Sequence, residues 1–152
     1  MFAERKGPMR KFALSIAFIV LSLFLVNTAF AATKCPQPRK TKSAPSSTFK
    51  SDKTKRANVK KGKAIYQKTA KPMACQMCHG KKGGGDGKLG KALKPAPRNF
   101  KCAKTMKKVS AGQMFWIIKH GSKGTGMVAH KKTLKDKDIW NVIKYIRKDF
   151  MK

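Results

Sequence analysis

Between Asn58 and the C-terminus the apolar residues recur with helical spacing in three places, and no stretch alternates with period two between hairpin turns. The clearest run is the last. Ile139, Val142, Ile143 and Ile146 fall at i, i+3, i+4 and i+7. Asp136 and Asp138 stand at the positive end of that helix, and Lys144, Arg147 and Lys148 toward its negative end. A second helix is predicted where Ser110 and Gln113 form a capping-box pattern ahead of Met114, Phe115, Trp116, Ile117 and Ile118, with Gly121 as the stop. Asn58 is placed to cap a third, with Val59, Gly62 and Tyr66 on one side. It must end near Lys71 and Pro72, because proline disfavours a helical residue before it. Gly62, having no side chain, would let another helix approach closely. Residues 57–152 therefore read as one all-α domain of three to four short helices with long loops. Residues 81–100 are mostly Gly, Lys and Pro and bring little to a core, so something other than side chains is expected to fill the middle.

Ahead of this domain the pattern changes twice. Residues 32–56 are rich in Lys, Pro, Ser and Thr, with Phe49 the one sizeable apolar side chain, and read as a basic tether or extended wrap. Residues 1–31 read as a secretory signal peptide: Arg5, Lys6, Arg10 and Lys11 precede an uncharged apolar run from Phe12 to Val26, and Ala29 and Ala31 supply the small residues read at cleavage. The alternative is an uncleaved segment that anchors the chain to the membrane. Export would place the mature chain in the periplasm, an oxidising compartment. There Cys35 and Cys102, 67 positions apart, could pair, the alternatives being free or intermolecular thiols.

Composition narrows the class further. The chain has 152 residues, of which 41% are hydrophobic, enough for a packed core and against disorder throughout. Four cysteines are too few for a disulfide scaffold. Lys and Arg number 37 against 6 Asp and Glu, a formal net charge of +31; without residues 1–31 the balance is 33 to 5, or +28. Such an excess goes beyond what solubility requires and points to an acidic partner.

The chemistry is concentrated in Cys75-Gln76-Met77-Cys78-His79. Two thiols three positions apart share one helical turn and can each add to a vinyl group of one porphyrin, and the following imidazole is then near enough to reach the iron: this is the haem c attachment pattern. A zinc site would need a second ligand pair, yet Cys35 and Cys102 are isolated and His120 and His130 stand ten apart. A thioredoxin-like pair would need an alternating strand and helix pattern, which is absent. For the other side of the iron, Met127 follows the glycine-rich stretch Gly124-Thr125-Gly126, which can approach a flat ring. Its rivals are Met73, Met77, Met106, Met114 and Met151, with His120 and His130 as alternative ligands. A thioether ligand raises the potential relative to two histidines and closes the sixth position to substrates.

These residues, in this order, make the chain resemble the small monohaem class I cytochromes c of bacteria. The resemblance runs from about Val59 to Arg147, through Gly62 and Tyr66, Cys75 to Gly80, Gly84-Gly85-Asp86-Gly87, Leu93 to Phe100, Ile118, Gly121, Gly124 to Met127, and Asp138-Ile139-Trp140 through Tyr145-Ile146-Arg147. It implies a fold in which the first and last helices cross and the helices wrap one covalently bound haem c. It further implies that Cys75 and Cys78 form the thioethers and that His79 and Met127 ligate iron. Pro95 or Pro97 would lie beside His79, where a backbone carbonyl takes its other ring proton; Arg98 would pair with a haem propionate; and Gly62 would meet Trp140 or Tyr145. The family often has proline where Val128 stands and an aromatic residue in place of His130.

The stretch Gly85-Asp86-Gly87-Lys88-Leu89-Gly90 matches a dinucleotide fingerprint in form only, since no strand precedes it. Nucleic acid is a poor candidate partner after export, since neither a recognition fold nor interleaved surface aromatics supports it. The resulting expectation is a soluble, monomeric, periplasmic electron carrier that is not an enzyme. It would exchange electrons with an acidic redox protein or membrane redox complex, with a weak attraction to anionic membrane surfaces as a further consequence of its charge. The rival readings are a haem peroxidase or a gas or redox sensor with a labile sixth ligand, and a basic zinc or nucleic-acid-binding protein.

Overall fold

In the computed structural model the described residues are 35–37 and 41–152; the expected signal segment lies outside them. The helix pair that frames the molecule is α2 (Val59–Ala64), which widens into a π-turn over Ile65–Thr69, and α6 (Asp136–Asp149). Asn58 starts α2 as its composition predicts: its side chain accepts from the Lys61 amide at 3.0 Å. Its own amide donates to Asn141 Oδ1 at 2.7 Å, which ties the start of α2 to the buried middle of α6. The two helices cross at Gly62, where a Cβ would run into the Asn141 carbonyl and meet Tyr145 Cβ at 3.0 Å. The contact expected at Trp140 or Tyr145 is thus made by Asn141 and Tyr145. Trp140 turns instead onto Phe115, with ring centroids 4.7 Å apart and planes 13° from parallel.

Short helices complete the wall. They are α1 (Ser46–Lys50), α3 (Gln76–His79), α4 (Ala103–Met106) and α5 (Ala111–His120), with 3₁₀ turns at Thr54–Arg56 and Gly90–Ala92. The described residues form no strand, and the chain has the all-α class I cytochrome c fold. Among them no helix is long and apolar enough to cross a membrane. Ile139, Val142, Ile143 and Ile146 of α6 are all buried, joined by Tyr66, Met106, Met114, Phe115 and Ile118 in one core.

Only half of the expected capping box forms at α5. Ser110 Oγ accepts from the Gln113 amide at 3.0 Å, but the Gln113 side chain does not return to the cap. It reaches residues 42–44 instead, its Oε1 accepting from the Ala44 amide at 2.8 Å and its Nε2 donating to the Lys42 carbonyl at 2.9 Å. Ser110 Oγ also donates to the Phe49 carbonyl at 2.8 Å. The N-terminal arm thereby lies along α5, with Ala44 buried and α1 seated where Gly112 leaves room for the Thr48 backbone. Cys35 and Cys102 are joined by a disulfide.

Candidate functional site

The site grows from one turn of helix. The amides of Cys78 and His79 both return to the Cys75 carbonyl, at 3.3 and 2.9 Å, so the two thiols and the imidazole leave a single turn. Beyond His79 the chain cannot continue as helix: Gly80 has φ +82°, and its carbonyl accepts from the buried Tyr66 hydroxyl at 2.7 Å. The carbonyls at the end of α3 are satisfied by the glycine loop. Gly85 donates to the His79 carbonyl at 2.8 Å, Gly87 to Cys78 at 3.1 Å and Leu89 to Met77 at 2.9 Å. Gly87 lies so near the Gln76 and Met77 carbonyls that a side chain has no space. The amides at Gly85, Gly87 and Leu89 are therefore consumed by protein carbonyls, which explains the dinucleotide-like pattern without a phosphate.

Cys75, Cys78 and His79 open onto a cleft enclosing roughly 1200 Å³, its mouth included, with walls that are mainly apolar. Met127, Pro95, Pro97 and Arg98 line the same cleft. So do Met73, Met106, Met114 and His130, whereas Met77 faces elsewhere and His120 is exposed, its ring 3.9 Å from that of Trp116. Within 126–130 the loop is held from both sides: Thr125 Oγ1 accepts from the Met127 amide at 3.1 Å, and the Met127 carbonyl accepts from Ser122 at 3.0 Å.

The partner of the His79 ring differs from expectation in its position. Nδ1 lies 3.1 Å from the carbonyl of Arg98, and neither Pro95 nor Pro97 supplies that oxygen. The prolines shape the wall: Pro97 is buried against it and Pro95 is exposed at its rim. Behind the imidazole Phe100 stacks at 4.6 Å and 17°, backed in turn by Phe150, which also packs on Tyr66 and Tyr145. Phe100, Tyr66 and Gln113 also line the cleft; the sequence placed them in a helix, a cap or the family resemblance and gave none of them a role at the site. The signals for Phe100 and Tyr66 were their places in the stretches that carry the resemblance, and Gln113 had none beyond its cap position.

Burial sets the protonation of the donors. The Cys75 thiol is pushed up to about 11 by desolvation, and Cys78 is raised by the same cause. Both are free of disulfide bonding and are held as neutral thiols at neutral pH. That is the opposite of the lowered thiol pKa of a dithiol oxidoreductase. Among the described residues no three His, Cys, Asp or Glu side chains converge as a tetrahedral metal site would require. Two unpaired thiols on one turn, an imidazole engaged at Nδ1 and apolar walls fit a haem c.

An all-helical fold whose Cys-x-x-Cys-His turn faces an apolar cleft defines the class as a c-type cytochrome. Residues 57–146 match the family model described as cytochrome C oxidase, cbb3-type, subunit III, and the chain belongs to that family. A chain of the reducing HAO-like protein complex of Kuenenia stuttgartiensis has a similar fold, with a TM-score of 0.51 and 23% identity. The match covers 74% of this chain and 47% of that one, so the present chain corresponds to about half of its neighbour. No curated protein matches the chain significantly. The cytochrome c domain gives the molecule a haem-based role in electron transfer.

Proposed function

We propose that the chain is a soluble, exported one-electron carrier of the periplasm and not an enzyme. In this reading Cys75 and Cys78 would hold one haem c through thioethers, and His79 and Met127 would ligate its iron. Bound there, the haem supplies a ferric/ferrous couple. The observation that carries the reading is a single helical turn that sends Cys75, Cys78 and His79 into one apolar cleft, with His79 Nδ1 directed at the Arg98 carbonyl. Phe100 stacked on the ring restricts its rotation. The neutral thiols at positions 75 and 78 stand ready for addition to vinyl groups, and the apolar lining excludes water from the ligands. Arg98, which lines the cleft, would pair with a propionate in this reading.

The test is the spectrum of protein matured in a host competent for haem attachment. The ferric form is expected to be low-spin with the weak far-red band of a methionine-to-iron bond, and to keep its pigment through denaturing electrophoresis. Met127→Ala should lose that band and turn high-spin. A high-spin, ligand-accessible wild type would favour the peroxidase or sensor reading, and a colourless protein would remove haem altogether.

A further inference from the structure

The loop that holds the proximal histidine is itself held by the N-terminal arm. Gln37 Nε2 donates to the Pro97 carbonyl at 2.8 Å, and its Oε1 accepts from the Asn99 amide at 3.0 Å, so one side-chain amide bridges the residues on either side of Arg98. The same oxygen accepts from Arg98 Nη1 at 3.4 Å. Two residues before Gln37, the disulfide of Cys35 with Cys102 fastens the arm beyond the far end of this loop. The Arg98 carbonyl between these two attachments is the one that faces His79 Nδ1.

We propose that Gln37 is a positioning residue for the proximal imidazole: its bidentate grip on Pro97 and Asn99, anchored by Cys35–Cys102, fixes the Arg98 carbonyl and so sets how strongly that carbonyl takes the His79 Nδ1 proton. The inference rests on His79 being the haem ligand proposed above. A firm hydrogen bond at Nδ1 makes the imidazole a more basic ligand and stabilises the ferric state. Loosening the grip weakens that bond and favours the ferrous state. Gln37 does not line the cleft, so it would act on the haem through the residues it holds, Pro97, Arg98 and Asn99.

The experiment uses the haem-loaded mature protein. Gln37→Ala is expected to move the midpoint potential to more positive values, seen as a severalfold rise in the ferrous fraction at a fixed poise. It should also speed solvent exchange of the His79 Nδ1 proton in the reduced, diamagnetic form. Cys35→Ser/Cys102→Ser should shift both readouts the same way, and it carries the test if Gln37→Ala fails to mature. Ser110→Ala, which releases the arm at Phe49, serves as the control: it should lower stability and leave potential and exchange unchanged. Unchanged potential and exchange in pigmented Gln37→Ala, or an equal shift in Ser110→Ala, overturns the inference while leaving the haem reading intact. A colourless wild type defeats the haem reading instead.

Discussion

His130 shows how one side chain can occupy a cleft and still serve the scaffold. It is 5% exposed, and its Nδ1 stands 2.9 Å from the Lys71 carbonyl, to which Thr133 Oγ1 also donates at 2.9 Å. The pair pins the loop carrying Met127 to the segment leading into Cys75. Burial lowers the His130 pKa from its ordinary 6.5, with the Lys71 bond opposing, so the unfolded chain takes up the proton first. Its contribution to stability is therefore complete above pH 6.5 and is lost as pH falls through the lower folded value. Urea midpoints of the haem-loaded protein should drop between about pH 7 and pH 5, and His130→Asn, which keeps an N–H for Lys71 without titrating, should flatten that slope. An equally steep slope in the variant would assign the acid sensitivity to another group.

At the scale of elements, the crossing of α2 and α6 depends on a missing side chain. Gly62→Ala would drive a Cβ into the Asn141 backbone, forcing the helices apart and straining the Asn58 to Asn141 hydrogen bond. The expected loss is about 1–3 kcal/mol, the range of overpacked cores, read as a lower urea midpoint. A midpoint equal to wild type would show that the crossing yields without cost. Helix α5 carries a second division of labour: Ser110 caps it while Gln113, free of the capping box, secures the arm. The pattern in the sequence announced the helix start correctly, but not which partner would win the glutamine amide. Ala44 and Lys42 are about 70 residues away in the chain, and local pattern carries no record of them.

For the molecule as a whole, charge dominates encounter. With 37 basic against 6 acidic residues, acids can neutralise only a minority of the basic side chains; among the described residues Lys119 pairs with Asp136 at 2.8 Å. On the proposed carrier role, the rate of electron exchange with an acidic redox partner should fall steeply as salt rises, because the screening length shrinks from about 10 Å at 0.1 M to about 3 Å at 1 M. Stopped-flow rates that stay flat over that range would show that the excess charge does not steer docking.

Local chemistry alone determined much of this. The Asn58 and Ser110 caps, the stop at Gly121, the apolar stripe of α6 and the Cys75 to His79 turn are each written within a few consecutive residues, since capping and helical periodicity act over one or two turns. The tertiary structure decided what joins distant segments: the Arg98 carbonyl behind His79, Asn141 at the Gly62 crossing, Trp140 turned to Phe115, and the arm fastened through Gln37, Gln113 and Cys35. These pairings depend on where loops bring backbone carbonyls in space. Every residue has such a carbonyl, so no residue type marks in advance the one that will be used.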